Sequence, residues 1–235
     1  MIPLRDTIPS HSRPLVTVGL ILVNTLVFLH EQSLGSAGLE RFILEYGFVP
    51  AVYFHTSTAE PWNFFARFGP MFSSMFLHGG WLHLIGNMWI LWIFGDNVED
   101  RLGKVRFLLY YLACGLAAVY FHYWMSRLSG VPVVGASGAI AGVMGGYFVL
   151  FPHARILTIL FVFVFVQIIT VPAVVFLALW FIGQLLSGVV TNSAQMSGGV
   201  AWWAHVGGFV AGALMMFLLR GRPPQPSSWS SYESA

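Results

Sequence analysis

The chain has 235 residues, of which 57% are hydrophobic, 16% aromatic and only 9% charged, against roughly 25% charged in an ordinary soluble domain. A soluble globule of this composition could not cover its surface with polar groups, so the bilayer is the expected solvent. A net charge of +2 from eleven scattered Lys and Arg supplies no phosphate-binding patch and excludes a nucleic-acid partner, and the single cysteine, Cys114, excludes an internal disulfide framework and a Cys-rich metal site.

A membrane-crossing helix needs about 20 mostly apolar residues. Uncharged stretches bounded by charge, Gly or Pro predict six spans, in an all-α membrane protein of one domain. The first covers residues 15–29 and, lacking a small-residue cleavage site after it, is expected to be retained. Residues 35–70 then form a long external loop whose aromatics suit the membrane interface. The second span covers residues 72–94, the third 107–125 and the fourth, short one 137–151. About 35 apolar residues follow, too many for one straight crossing; 156–168 are expected as a loop or interfacial segment rich in β-formers, and 171–190 as the fifth span. The sixth runs over 200–219. Residues 1–14 and the Pro- and Ser-rich 220–235 are expected as flanks of the six-helix domain 15–219, the latter disordered. With six spans both flanks share a side. Arg5, Arg13, Arg101, Lys104, Arg106, Arg155, Arg220 and Arg222 fall on it, and Arg41, Arg67 and Arg127 opposite, so both flanks are expected in the cytoplasm.

Polar groups within a span are functional suspects because hydrocarbon makes them costly. In the second span, His83 and Asn87 stand four residues apart on one helix face, and His78 is five residues back, about 140° away, among Gly79, Gly80 and Gly86. The fourth span opens Gly135-Ala136-Ser137-Gly138. A serine there could be a simple cap, but the helix start also offers unpaired N–H groups and a positive dipole end, which suit a developing oxyanion. Its small residues form two stripes, Ser137, Ala141 and Gly145, and Gly138, Gly142 and Gly146. In the sixth span His205, Gly208 and Gly212 share a face. The glycines permit a close crossing, expected against the Ser137 stripe, that would bring His205 to the serine as a base.

None of the nine carboxylates lies in the spans from residue 107 onward, so a buried Asp behind His205 is not expected. A two-residue dyad remains, with His205 oriented by packing. No His-Glu-x-x-His occurs for zinc hydrolysis, and Asp96 lacks a second membrane aspartate for an aspartyl site.

Taken in order on the second, fourth and sixth spans, His78…His83…Asn87, Gly135-Ala-Ser137-Gly138 and Ala204-His205-x-x-Gly208-x-x-x-Gly212 resemble the rhomboid intramembrane serine proteases, in a bacterial six-span form. The resemblance covers about residues 72–219 and implies a rhomboid-like bundle. It implies Ser137 as nucleophile, His205 as general base, and His83, Asn87 and the Ser137 N–H as oxyanion hole. His78 would tie the second span to loop structure, and Gly135, Gly138, Gly208 and Gly212 would support the site. Two departures stand out: Ala141 replaces a Tyr that stacks on the catalytic His in many members, and Trp62 and Arg67 are not adjacent. The space of that Tyr is expected to be empty.

The resulting expectation is a multi-pass protease of the bacterial inner membrane, with both termini cytoplasmic. It would cleave peptide bonds in or beside transmembrane segments of other proteins through an acyl-enzyme, without metal or cofactor. An inactive relative that binds and escorts transmembrane clients is the alternative, against which retention of both Ser137 and His205 argues. A transporter would show inverted repeats, and none is apparent. Oligomeric state is not legible in the chain.

Overall fold

A computed structural model describes residues 1–59, 62–162, 165–193 and 200–219. Strand β1 (Ile2–Asp6) precedes α1 (Leu15–Ser33), α2 (Gly35–Tyr46), α3 (Pro50–Ala59) and α4 (Phe64–Ser73). A 3-10 turn (Ser74–Phe76) leads into α5 (Trp81–Leu102), α6 (Lys104–Met125) and α7 (Ser137–Leu150). Strands β2 (Arg155–Val162) and β3 (Phe165–Pro172) come before α8 (Ala173–Ser193) and α9 (Trp202–Leu219).

The six expected spans are α1, α5, α6, α7, α8 and α9. Among the described residues four helices are long and apolar enough to cross a membrane unaided, Leu15–Ser33, Lys104–Met125, Ala173–Thr191 and Trp202–Leu219. The other two depart for physical reasons. Helix α5 ends in the charged turn Asp96–Arg101, and α7, at 14 residues, rises about 21 Å, short of the roughly 30 Å hydrocarbon core. Helix α7 can be short because it is the central post of the bundle: Gly138 through Tyr147 are all buried. Buried on every side, it shows no polar face.

Helix α9 lies directly on α7. A Cβ at Gly208 would run into the Gly138 carbonyl, and one at Gly212 into the Gly142 carbonyl. A Cβ at Gly145 would likewise meet the Phe209 carbonyl, so α7 faces α9 along Gly138, Gly142 and Gly145, which takes two residues from one expected stripe and one from the Ser137, Ala141 and Gly145 stripe. The Tyr110 hydroxyl of α6 lies 2.7 Å from the Gly142 carbonyl and 3.0 Å from that of Gly212, so its proton is shared between the two crossing helices. Across the bundle, Glu99 of α5 caps the start of α1, accepting from the Val16 N–H (3.0 Å), the Thr17 N–H (2.7 Å) and the Thr17 hydroxyl (2.8 Å). A carboxylate there satisfies orphan amides and complements the helix dipole.

The segment 156–168, expected as a loop or interfacial stretch, is instead most of a β-hairpin. β2 and β3 pair antiparallel from Arg155↔Pro172 to Val162↔Phe165, and β1 adds to the other edge of β2, giving the order β1-β2-β3. Residues 1–14, expected as a flank, thus contribute a strand to the fold. Asp6 at its end accepts from Asn97 Nδ2 of α5 and from the Tyr147 hydroxyl of α7, and Trp89 Nε1 donates to the Pro3 carbonyl. Partial burial outweighs these bonds and holds the Asp6 carboxyl above the usual carboxylate range. Residues 220–235, expected as a disordered tail, lie outside the described residues.

The segment 35–70, expected as an external loop, holds helices α2 and α3 and most of α4. Trp62, Phe64 and Phe65 are strongly exposed at and near the start of α4, where the Asn63 side chain accepts from the Ala66 N–H, and Arg67 lies over the Phe68 ring. This loop braces the irregular backbone ahead of Ser137. Phe48 and Val133 exchange two backbone hydrogen bonds (3.1 and 2.8 Å), the Ala51 N–H reaches the Ser129 carbonyl, and the Gly135 N–H reaches the Ser74 carbonyl. Non-helical backbone at membrane depth needs such partners.

Candidate active site

Ser137 is the first residue of α7. The chain reaches it through Gly135, whose φ of +125° is one that L side chains rarely adopt; a Cβ there would also stand 2.7 Å from both Cε1 and Nε2 of His83. Glycine at this position lets the His83 ring lie against the backbone leading into the serine. The close α7–α9 crossing brings His205 across, with its Nε2 2.7 Å from Ser137 Oγ. That is the contact a nucleophile and its base require.

On the other side of Ser137, α5 presents His83 and Asn87. The Gly79 N–H donates to His83 Nδ1 (3.4 Å), so the ring proton sits on Nε2, the nitrogen turned toward Gly135. Asn87 Nδ2 donates to His78 Nε2 at 3.1 Å, which uses one amide proton and leaves the second free to serve the site. His78 is not on the helix with these two. Gly79 and Gly80, the latter at φ +158°, break the chain before α5, and His78 sits in the preceding turn, its ring 5.1 Å from that of His83. Its N–H is held by the Glu31 carboxylate of α1 (3.2 and 3.3 Å), so His78 connects α5 to α1.

Ser137, His205, His83, Asn87 and Gly135 line one open cavity of about 1530 Å³, walled by residues 126–135 and by Ala201 and Trp202. A smaller recess of about 290 Å³ reaches Ser137 and His205 between α5 (Leu82, Gly86) and α8 (Trp180, Gln184). Among the described residues no group of three His, Cys, Asp or Glu is placed to hold a metal ion. Gly138, Gly208 and Gly212 lie at the α7–α9 crossing, and Gly138 also lines the cavity.

One residue escaped the sequence reading. His205 Nδ1 lies 2.7 Å from Gln184 Oε1 of α8, so the ring is held by a hydrogen bond and not by packing alone. The signal was available, since Gln184 is a polar residue within an apolar span. One turn earlier on α8, Trp180 lays its ring 6.0 Å from that of His205, tilted by 32°, while Trp202 approaches edge-on at 6.2 Å. Ala141 is fully buried, which corrects the expectation of an empty space beside it. Ala141→Tyr should therefore overpack the core and cost about 1–3 kcal/mol, read as a lower melting temperature in detergent. An unchanged melt would show that room exists there.

Comparison with known proteins decides the family. The Rhomboid domain family matches residues 62–222, more than half of the chain. The chain belongs to the rhomboid family. It is 36% identical over 148 residues to the mitochondrial Rhomboid protein 1 of Saccharomyces cerevisiae, covering 60% of this chain and 39% of the yeast protein. It is 27% identical over 202 residues to the mitochondrial Presenilin-associated rhomboid-like protein A of Danio rerio, covering 83% of this chain and 45% of the fish protein. With RHOMBOID-like protein 4 of Arabidopsis thaliana the identity is 34% over 158 residues, 65% of this chain and 34% of the plant protein. This rhomboid spans less than half the length of these curated relatives. Two of the three are mitochondrial, which runs against the expectation of a bacterial membrane; the multi-pass membrane character stands.

Proposed function

We propose that this rhomboid is an intramembrane serine endopeptidase that cleaves peptide bonds in or next to transmembrane segments of other membrane proteins. The observation that carries the reading is the 2.7 Å contact between Ser137 Oγ and His205 Nε2 at the head of a helix too short to span the bilayer. In the first step Ser137 Oγ bonds to the scissile carbonyl carbon, its proton passes to His205 Nε2, and the carbonyl π pair moves onto oxygen. The donors around that oxygen are His83 Nε2–H, the free Asn87 amide N–H and the Ser137 backbone N–H, which as a first-turn amide has no partner within its own helix. Collapse of the tetrahedral adduct breaks the C–N bond, and the amine leaves with the proton from His205. Water then enters through the cavity, gives a proton to His205 and attacks the acyl carbon; collapse of this second adduct breaks the C–Oγ bond, His205 returns its proton to Ser137 Oγ, and the carboxylic acid product leaves and ionises in water.

Labelling of the purified full chain by a fluorophosphonate, compared with Ser137→Ala, tests the reading. Labelling that requires Ser137 supports it; a folded protein that neither labels nor cleaves would fit a client-escorting relative instead. Asn87→Ala and His83→Ala should each lower kcat by about 10-fold to 10³-fold with KM little changed, as loss of one oxyanion donor does. Raised KM at constant kcat would move these side chains from catalysis to substrate binding.

We further propose from the cation asymmetry that both flanks of the six-helix unit lie on one side, with Arg101, Lys104 and Arg106 at the α5–α6 turn. Reporter fusions after Lys104 should read the same side as fusions after Arg222 and the opposite side from fusions at Arg127. A shared side for Lys104 and Arg127 would overturn the assignment.

A further inference from the structure

We infer that Gln184 is a positioning residue that selects the reactive tautomer of His205. A base at Ser137 must present a bare Nε2, so the ring proton must sit on Nδ1, and the group facing one ring nitrogen decides where the proton resides. Serine proteases of the triad type use a carboxylate for this. Here none of the nine carboxylates lies on α6 through α9, and the group facing Nδ1 is the Gln184 amide oxygen at 2.7 Å. An amide oxygen only accepts, so this contact requires Nδ1–H and leaves the Nε2 lone pair to Ser137 Oγ, 2.7 Å away on the other side of the ring.

The arrangement differs from a triad in charge. A neutral acceptor fixes the tautomer without favouring the imidazolium, so the base stays unprotonated to lower pH than it would beside a carboxylate. Trp180, one turn back on α8, lays its ring 6.0 Å from that of His205, so the hydrogen bond and this ring contact both come from one helix.

The inference rests on the protease reading and is tested in the full chain with three measurements. In wild type carrying ring-labelled histidine, nitrogen NMR should show His205 protonated on Nδ1; a proton on Nε2 would overturn the assignment whatever the variants do. Gln184→Met keeps the length of the side chain without the acceptor. It should lower kcat by about 10-fold to 10²-fold, the size expected for one lost buried hydrogen bond, with KM nearly constant. Gln184→Glu keeps the acceptor and adds a charge. It should retain more activity than Gln184→Met at alkaline pH and move the acid limb of the kcat profile to higher pH, because a neighbouring carboxylate stabilises the protonated ring that cannot act as base. Wild-type kcat and pH profile in Gln184→Met would sink the role of Gln184 and leave the protease reading intact. Equal losses in both variants with an unmoved acid limb would show that Gln184 acts only in packing, and failure of wild type to label or cleave would sink the protease reading itself.

Discussion

Ser137→Ala and His205→Ala should each abolish detectable cleavage of a transmembrane substrate, a loss of about 10⁴-fold or more, while both variants keep the wild-type melting temperature in detergent. Neither side chain works alone, since the serine is a poor nucleophile until Nε2 takes its proton and the histidine has nothing else to activate in acylation. The double variant should accordingly be no worse than either single one, because residues acting as a unit are strongly non-additive. Turnover measured on a quenched substrate across all three proteins checks this. A His205→Ala enzyme with substantial activity would mean that another group serves as base and that the 2.7 Å contact is structural.

Gly208→Leu should be nearly as damaging, through geometry. The α carbon of Gly208 rests on the Gly138 carbonyl one residue beyond the serine, and Gly212 rests in the same way on Gly142. No side chain fits without moving α9 away from α7. An ångström of separation withdraws Nε2 from Oγ, and a misplacement of that size can cost about 10²-fold in rate. Even Gly208→Ala should show part of this loss, together with overpacking of about 1–3 kcal/mol. Val210→Leu, on an exposed part of the same helix, should behave as wild type and serves as the control. Full activity in Gly208→Leu would show that α7 and α9 are not in backbone contact in the working enzyme.

The glycines show where reading the chain succeeded and where it stopped. Small residues at helical spacing in two separated segments were enough to expect a close crossing. They did not reveal the side of α7 that faces α9, which runs over Gly138, Gly142 and Gly145 and so straddles the two expected stripes. A helix buried all round has no polar face to give its phase, so its rotation is set by its neighbours. The β-hairpin was missed for a related reason. The stretch 156–168 is apolar without alternation, and the strand that pairs with β2 stands about 150 residues earlier, at Ile2–Asp6. His78 shows the limit of periodicity: counting along a helix assigns it an angle, but the Gly79-Gly80 break takes it off the helix and lets it reach Asn87 after all.

By itself the sequence determined the solvent, the six apolar segments, the start of α7 at Ser137 and the residue types for acyl-transfer chemistry, because hydrophobicity, length and helix-end preferences are local properties of the chain. Only the tertiary structure decided the 2.7 Å contact between Ser137 and His205, the His78–Asn87 hydrogen bond, the attachment of β1 through Asp6 and the placement of Gln184 behind His205. Each of these joins separate elements of the fold, and their distances follow from how closely bare backbones can pack, which no single segment specifies.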